Sequence, residues 1–218
     1  HSFPTRRSSD LVGHVCSSST QPATDIYEDE GVLMITPSAT APEITSRGYK
    51  LIFRTIGLDN MQGPVAGKFI AERYKDKTIA VLHDKQQYGE GIATEVKKTV
   101  EDAGIKVAVF EGLNAGDKDF NALISKLKKA GVQFVYFGGY HPEMGLLLRQ
   151  AKQAGLDARF MGPEGVGNSE ITAIAGDASE GMLATLPRAF EQDPKNKALI
   201  DAFKAKNQDP SGIFVLPA

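Results

Sequence analysis

The sequence predicts an α/β fold made of two doubly wound lobes with parallel sheets, the first lobe truncated at both ends. The first observation is that short apolar runs, such as Thr78–Asp84 and Phe134–Phe137, alternate with segments of helical apolar spacing. Continuous apolar runs are typical of parallel strands that are buried on both faces. The second observation is that helical segments are followed by Gly104, Gly131 and Gly155, the residue type at which helices commonly end.

The segment 59–187 contains an unbroken series of such elements. The predicted order is a helix at Val65, Ala66, Phe69 and Ile70; strand Thr78–Asp84; a helix marked by Ile92, Val96, Val100 and Ala103; strand Ile105–Phe110; a helix marked by Phe120, Leu123, Ile124 and Leu127; strand Phe134–Phe137; a helix marked by Met144, Leu147, Leu148 and Ala151; strand Arg159–Met161; a helix near Ser169–Ala175; and strand Met182–Leu186. Asp117 or Asp119 is the expected cap of the third helix. We interpret this segment as a complete C-terminal lobe.

The flanking residues carry fewer elements of the same kind. They predict a helix over Ser17–Glu30, strands over Val32–Thr36 and Tyr49–Thr55, and a helix over Asn196–Lys206. We therefore expect a partial N-terminal lobe at 12–58 and a return of the chain into that lobe at 188–218. The chain crosses between lobes near Ile56–Asp59 and Leu186–Ala189.

Both ends of the sequence are unusual. His1–Leu11 reads HSFPTRRSSDL, has no periodic apolar face, and resembles a sequencing adapter translated in frame. We treat residues 1–11 as an artefact and exclude them from the fold, although a natural basic arm remains the alternative. At the other end, Ile213–Val215 begins an apolar run that we interpret as the start of a strand. The first lobe is therefore expected to be truncated at both ends.

Composition excludes several classes of function. The net charge of −2 and the lack of a Lys/Arg block argue against nucleic acid as a partner. No run of 18 apolar residues is present, which excludes a spanning helix. A single cysteine, Cys16, excludes an internal disulfide and a cysteine-based zinc cluster. The glycines in Gly162–Gly167 match neither a dinucleotide fingerprint nor a P-loop, so no cofactor is expected.

The loops after the strands carry polar groups that suit a zwitterion. In parallel α/β sheets, ligands bind beyond the carboxyl ends of the strands. Ser17 opens the first helix and Thr40 lies in the turn Pro37–Pro42, so both can donate hydrogen bonds to a ligand carboxylate. Glu164 follows a strand and offers a counter-charge to an ammonium, with the carbonyl of Ser38 as a second acceptor.

Two tyrosines complete this set of candidate ligand-binding residues. Tyr88 and Tyr140 follow predicted strands, and their rings can form apolar walls while their hydroxyls bond across a cleft. The alternatives are loop-packing aromatics for the tyrosines, a helix cap for Ser17, and a solvated turn residue for Glu164.

Other polar residues have simpler explanations. His83 and Asp84 end a strand, where we expect them to cap the following loop rather than perform acid–base chemistry. His14 precedes Cys16, but a Cys/His nucleophile pair also needs a third group to orient the base, and none is evident. We predict no catalytic residues and no metal ligands.

Five sequence blocks resemble a known family. They are Cys16–Glu30 (CSSSTQPATDIYEDE), Met34–Glu43 (MITPSATAPE), His83–Gly91 (HDKQQYGEG), Phe137–Gly145 (FGGYHPEMG) and Met161–Gly167 (MGPEGVG), which stand in the order and spacing of the periplasmic leucine/isoleucine/valine-binding proteins. The resemblance extends from about Val12 to Val215. It implies a type I periplasmic binding protein whose two lobes close on a ligand by hinge motion.

The resemblance also implies roles for individual residues. The positions matching Ser17, Ser38 and Thr40 hold the charged backbone groups of the ligand, and we place Ala39 of the same turn with them. The position matching Glu164 binds the ammonium, and those matching Tyr88 and Tyr140 line the second lobe's side of the cleft. The cysteine that matches Cys16 usually pairs with an upstream cysteine, which this sequence lacks.

The expected function is capture of a branched-chain L-amino acid in an interlobe cleft and its delivery to the membrane permease of an ABC transporter. By resemblance, we expect a periplasmic monomer that catalyses no reaction. One alternative is a ligand-sensing domain of a receptor or regulator with the same fold. A second is a doubly wound glycosyl- or nucleotide-dependent transferase, but it would need a phosphate-binding loop or an acidic metal-binding pair, and neither is evident.

Overall fold

The computed structural model describes residues 10–188 and 190–216 of the chain. In chain order these form β1 (Leu11–Val12), α1 (Ser17–Glu30), β2 (Met34–Thr36), α2 (Glu43–Ser46), β3 (Ile52–Arg54), α3 (Asp59–Arg73), β4 (Ile79–His83), α4 (Gln87–Asp102), β5 (Val107–Gly112), α5 (Asn121–Lys129), β6 (Phe134–Gly138), α6 (His141–Gln153), β7 (Arg159–Gly162), α7 (Glu170–Ala175), β8 (Leu183–Ala184) and α8 (Lys197–Ala205). Short 3-10 turns cover Glu164–Val166, Gly176–Ser179, Phe190–Gln192 and Pro194–Asn196.

The chain divides into two compact units. One contains the described residues of 10–58 and 188–216, and the other is Asp59–Pro187. The first unit holds a three-stranded parallel sheet in the order β1-β2-β3. The second holds a five-stranded parallel sheet in the order β5-β4-β6-β7-β8. The prediction of an α/β fold with parallel sheets is confirmed.

The five-stranded sheet is covered on both faces because its strand residues alternate between two cores. In β4, Ile79 and Val81 pack with α3 and α4, in a cluster that includes Ile70 and Val96. The intervening Ala80 and Leu82 face the other way, into a core made with α5, α6 and α7. Every residue of β4 and β6 is buried. This arrangement explains the continuous apolar runs that predicted these strands.

Three helices end just before the predicted glycines. Gly104, Gly131 and Gly155 have φ values of 82°, 67° and 66°, the left-handed conformation that glycine adopts without a Cβ penalty. After α4, the N–H of Gly104 donates to Glu101 and the N–H of Ile105 to Val100, at 2.9 and 3.2 Å. Because this motif uses Ile105 to finish the helix, strand β5 starts at Val107 rather than at the predicted Ile105.

The cap of α5 also differs from the prediction. The N-cap position is Phe120, whose N–H donates to the Gln150 side chain at 2.7 Å. The Asp119 carboxylate accepts from the N–H of Asn121 at 2.9 Å, whereas the Asp117 carboxylate accepts from the Asn114 amide. The sequence signal therefore identified a side chain that bonds the first turn, but it misplaced the cap by one residue.

Two expectations about the ends need correction. Residues 1–9 of the excluded arm lie outside the described residues, but Leu11 pairs with Met34 in β1 and so belongs to the fold. Ile213–Val215 forms no strand. Residues 213–216 are a turn, closed by the N–H of Val215 to the carbonyl of Gly212 at 3.0 Å. The apolar run there did not reveal the local turn bonds that compete with a strand.

Candidate functional site

In the second unit, the strand order places a candidate site at the carboxyl ends of the strands. The connection through α4 leads from β4 to β5 on one side, and the connection through α5 returns to β6 on the other side of β4. The carboxyl ends of β4 and β6 therefore flank a topological switch point, the location where open α/β sheets bind ligands. Tyr88 follows β4, Tyr140 follows β6, and Glu164 follows the neighbouring strand β7.

The turn after β4 sets the position of Tyr88. The N–H of Lys85 donates to His83 Nδ1 at 3.2 Å, and the N–H of Gln86 donates to Asp84 Oδ1 at 2.9 Å. The prediction that His83 and Asp84 cap this loop is confirmed. Burial raises the pKa of Asp84 to about 6, with a further upward contribution from the Glu143 charge. The turn leads into the first turn of α4, which carries Tyr88.

Glycines let the loops after β4 and β6 approach each other closely. A Cβ on Gly89 would lie 2.5 Å from the carbonyl oxygen of Gly138 and 2.2 Å from Asp84 Oδ1. A Cβ on Gly138 would lie 2.2 Å from the carbonyl oxygen of Gly89. Only residues without a Cβ permit this backbone contact, and it brings the loops of Tyr88 and Tyr140 together.

The two tyrosines and Glu164 form one cluster. The ring centroids of Tyr88 and Tyr140 are 5.1 Å apart with their planes at 33°. The Tyr88 hydroxyl accepts a hydrogen bond from the N–H of Gly165 at 3.2 Å, so it fixes the 3-10 turn that contains Glu164. The Tyr88 side chain is fully enclosed, whereas Tyr140 is half-buried.

Glu164 is a buried carboxylate at the centre of this cluster. Its relative exposure is 5%, and among the described residues its Oε2 atom has no hydrogen-bond partner. Burial raises the pKa of Glu164, while hydrogen bonds with the Tyr88 hydroxyl and the Gln62 amide partly oppose that rise. Burial and the nearby Glu164 charge also raise the pKa of Tyr88 and of Tyr136 well above the ordinary value. The phenols of Tyr88 and Tyr136 therefore stay neutral.

The candidate residues of the first unit lie at the start of α1 and in the loop after β2. The Ser17 hydroxyl is buried and accepts from the N–H of Ala41 at 3.2 Å. Ser17 is thus no helix cap; Cys16 occupies that position and makes no side-chain cap bond. Ala39 and Thr40 are buried, and Ser38 is half-buried in the same loop.

Two residues that the sequence analysis missed hold this loop in place. Thr36 Oγ1 accepts from the N–H of Ala39 at 3.0 Å and donates to the carbonyl of His14. The Arg54 guanidinium donates to the carbonyls of Ala39 and Ala41 at 2.9 and 2.7 Å. Arg54 ends β3, within the strand predicted over Tyr49–Thr55. A cation at the end of a strand is a usable signal, but its backbone partners leave no trace in the sequence.

Other polar groups are accounted for by structural contacts. His14 Nε2 bonds the Tyr27 hydroxyl at 2.9 Å, so its partner is Tyr27 rather than Cys16. Over residues 10–188 and 190–216, no group of three or more His, Cys, Asp or Glu side chains could hold a metal ion. No helix in that part of the chain has the length and apolar character needed to cross a membrane.

The geometry thus brings Tyr88, Tyr140 and Glu164 together in one unit, and Ser17 with the loop of Ala39 in the other. Residues 7–213 match the family model described as periplasmic binding protein. The chain belongs to the periplasmic binding protein family. It is 59% identical over 205 residues to the Leu/Ile/Val/Thr-binding protein of Salmonella typhimurium, covering 94% of this chain and 56% of that protein.

The chain is similarly close to other binding proteins of this family. The Leu/Ile/Val-binding protein of Escherichia coli K12 is 59% identical, and the leucine-specific-binding protein of Salmonella typhimurium 57%, each covering 94% of this chain and 56% of the relative. Among solved structures, the leucine binding protein LivK of Thermotoga maritima matches with a TM-score of 0.83 and 27% identity, over 95% of this chain and 60% of that one. LivJ of Streptococcus pneumoniae with isoleucine matches with a TM-score of 0.76 and 27% identity, over 94% and 59%. The chain therefore spans little more than half the length of its curated relatives.

Proposed function

We propose that this chain carries the amino-acid contacts of a solute-binding protein that captures a branched-chain L-amino acid for an ABC transporter. The observation that carries the proposal is the buried Glu164 carboxylate, close to the enclosed Tyr88, with one oxygen lacking a partner among the described residues. A buried carboxylate without a counter-charge is unfavourable, so this site favours a cationic group that also donates hydrogen bonds.

An ammonium fits this environment better than a metal ion. Divalent cations need several oxygen or nitrogen ligands, whereas this cluster offers one carboxylate and neutral phenols. An ammonium has three donors, which one carboxylate oxygen and neighbouring acceptors can satisfy. Hydrogen bonds to charged groups contribute about 1.5–3 kcal/mol each. Glu164 is thus the proposed recognition group for the ligand's amino end.

The first unit supplies groups for a carboxylate. The hydroxyls of Ser17 and Thr40 and the backbone of Ser38 and Ala39 are the proposed ligands. Arg54 binds the carbonyls of Ala39 and Ala41, and Ser17 binds the N–H of Ala41, so the protein itself fixes the loop. A loop held in one conformation loses little conformational entropy when a ligand binds.

The relatives support the choice of ligand and of context. Their names specify leucine, isoleucine, valine and threonine, and one solved relative contains isoleucine. We accordingly propose a periplasmic monomer that delivers its ligand to a membrane permease and catalyses no reaction. The alternative of a receptor or regulator domain has no support among these relatives, all of which are named as binding proteins.

Isothermal titration calorimetry with leucine, isoleucine and valine tests this function. Because the chain spans 56% of its relatives, the informative protein is a chimera in which residues 12–215 replace the matching segment of the Escherichia coli Leu/Ile/Val-binding protein. The 218-residue chain is titrated in parallel. We expect the chimera to bind leucine but not N-acetyl-leucine, which lacks the ammonium. A chimera that binds no amino acid contradicts the proposal, and equal binding of N-acetyl-leucine contradicts the role of Glu164.

A further inference from the structure

Lys85 has a backbone conformation that is uncommon for its residue type. Its φ is 58°, in the left-handed region, and among the described residues the only other non-glycine residue with a positive φ is Asn207. Asparagine adopts this region readily, whereas the Cβ of lysine makes it sterically unfavourable. Strained backbone of this kind persists only where surrounding contacts hold it, and it is concentrated at functional sites. The contacts of Lys85 therefore indicate what the strained conformation achieves.

Lys85 connects the turn after β4 to the loop after β5. Its N–H donates to His83 Nδ1 at 3.2 Å, and its Nζ donates to Asn114 Oδ1 at 2.8 Å. Its methylene chain passes over Gly112, where a Cβ would lie 2.6 Å from Lys85 Cγ. Because Gly112 ends β5 and Asn114 lies in the following loop, one side chain joins the two neighbouring connections at this end of the sheet.

The loop that receives the Lys85 ammonium is itself fixed to α6. The Asn114 amide donates to the Asp117 carboxylate at 2.9 Å, and the N–H of Asp117 donates to the Asn114 carbonyl at 3.1 Å. Within this turn, the N–H of Gly116 donates to Glu143 Oε1 at 2.8 Å. Glu143 lies in the first turn of α6 and is only 8% exposed. The partner of Lys85 is therefore held in place from its other side.

The turn held by Lys85 leads to Tyr88, three residues later in the first turn of α4. The Tyr88 hydroxyl accepts from the N–H of Gly165 at 3.2 Å. A Cβ on Gly165 would lie 3.1 Å from Tyr88 Cε1 and 3.1 Å from Tyr140 Cδ1, so the Gly165 backbone packs closely against both rings. Gly165 follows Glu164 in the 3-10 turn. The position of Tyr88 therefore determines where that turn lies.

We propose that Lys85 is a positioning residue, which holds the start of α4 where the Tyr88 hydroxyl can bond the turn of Glu164. The proposal deepens the function proposed above and rests on it for the ligand, an amino acid bound through its ammonium. A glycine at position 85 would adopt the same φ without strain but would offer no donor to Asn114. The strain at Lys85 is thus a cost in stability that accompanies a better ordered binding site.

Amide hydrogen exchange, measured by NMR in the 218-residue chain without ligand, tests the proposal. The reporter is the N–H of Gly165, and the reference is the N–H of Leu82 in the buried strand β4. Lys85→Met keeps the methylene chain but removes the ammonium, so we expect Gly165 to exchange about fivefold faster relative to Leu82. Lys85→Gly should have the same effect without lowering the urea midpoint, because glycine adopts the left-handed conformation freely.

Two matched controls separate this effect from general ones. Asn207→Gly relieves the other left-handed non-glycine residue, and Lys129→Met removes an exposed lysine at the end of α5. Both are expected to leave the exchange of Gly165 unchanged. An equal acceleration at Gly165 in either control would make the effect of Lys85 unspecific and overturn the proposal.

A double variant tests whether Lys85 acts through Asn114. If it does, Lys85→Met/Asn114→Ala speeds the exchange of Gly165 no more than Lys85→Met alone, whereas additive effects would overturn the role of Asn114. Equal acceleration of Gly165 and Leu82 would make Lys85 merely structural and overturn the proposal, as would a lower urea midpoint in Lys85→Gly. If Lys85→Met fails to fold, Lys85→Gly decides, and unchanged exchange of Gly165 there counts against the proposal.

Leucine affinity of the chimera then separates this inference from the proposed function. We expect Lys85→Gly to weaken leucine binding about fivefold, although this variant is no less stable than the parent chimera. A chimera that binds no amino acid contradicts the proposed function, whereas the exchange of Gly165 still decides whether Lys85 positions Tyr88. Unaltered leucine affinity in the Lys85→Gly chimera overturns the inference alone.

Discussion

The two units cover their sheets differently. The five-stranded sheet of Asp59–Pro187 has a buried core on each face. The three-stranded sheet of the other unit has one small core cluster, around Met34, Ile44 and Ile52. On its strands, Val12 is 74% exposed and Phe53 is 50% exposed. Because parallel sheets are stable when both faces are covered, the second unit meets this requirement with its own residues and the first does not within the described residues.

The candidate site residues follow the same division. In the second unit a carboxyl group, that of Glu164, lies inside the packed structure close to the buried Tyr88. In the first unit the candidate groups are neutral hydroxyls and backbone, held in place by Thr36 and Arg54. A well-packed scaffold can tolerate the cost of a buried charge, which amounts to several kcal/mol per ion. If the proposed function holds, we expect the second unit to supply most of the discrimination against ligands of the wrong charge.

The largest expected effect concerns independent folding. A fragment of residues 59–187 should give a dispersed amide NMR spectrum, because both faces of its sheet are covered from within. A fragment of residues 10–58 should give collapsed dispersion, because its sheet exposes apolar side chains. Collapsed dispersion in the 59–187 fragment, or a folded 10–58 fragment, would remove the basis of the comparison.

A charge change in the second unit should affect binding more than the loss of a hydroxyl in the first. In the chimera, Glu164→Ala is expected to weaken leucine binding more than about hundredfold, because truncating one partner of a buried charge pair costs about 2–5 kcal/mol. Glu164→Gln should bind leucine nearly as weakly as Glu164→Ala, because recognition of the ammonium requires the negative charge and not only the shape of the side chain.

Ser17→Ala and Tyr140→Phe are the comparison variants, and calorimetry is the measurement. Each loses one neutral hydroxyl, for which we expect roughly a fivefold loss of affinity. Unchanged affinity in Glu164→Gln would count against the ammonium assignment. If Ser17→Ala lost as much affinity as Glu164→Ala, the expected difference between the two units would be absent.

The close contact of the loops after β4 and β6 gives the next effect. Gly138→Ala should destabilise the chain by about 3 kcal/mol, because its Cβ would overlap the backbone of Gly89. Gly91→Ala is the matched control: it lies in α4, and a Cβ there meets nothing within 4 Å. This control should gain about 0.5–1 kcal/mol from reduced backbone entropy. Denaturant unfolding measures both, and equal stabilities would mean that the glycine contact is not required.

The sequence was most informative where local spacing determines structure. The bounds of α1, Ser17–Glu30, agree with the prediction, and the apolar runs identified β4 and β6. The ends of strands were predicted less accurately, because neighbouring turns compete for the same backbone groups. Ile105 illustrates this, since its N–H completes the helix end instead of starting the strand. Local turn bonds also replaced the predicted strand at Ile213–Val215.

The candidate site was predictable only as a set of residue types. Tyr88, Tyr140 and Glu164 were found because they follow strands, but the strand order that unites them depends on crossovers that spacing does not specify. Arg54 was missed because its partners are backbone carbonyls. Contacts of these kinds become visible only when the chain is folded.

The smallest expected effect is a pH dependence of stability that differs between two aspartates. Burial raises the pKa of Asp84 in the second unit from 3.8 to about 6. Because the folded-state pKa is the higher one, Asp84 favours the folded state below about pH 4, and this contribution is lost as the pH rises through 6. Asp84→Asn keeps the Oδ1 acceptor for Gln86 without the charge. It should therefore be about 2 kcal/mol more stable than the unsubstituted chain at pH 8 and equal to it near pH 4.

Asp25 in the first unit provides the opposite case. It is exposed, and a hydrogen bond from Tyr49, together with the charge of Arg47, lowers its pKa. Its contribution is present at neutral pH and lost on acidification, so Asp25→Asn should not gain stability at pH 8. Urea unfolding at pH 4, 6 and 8 measures both variants. If Asp84→Asn and Asp25→Asn respond to pH alike, burial within the second unit is not what sets the charge of its polar groups, and the contrast between the two units fails for Glu164 as well.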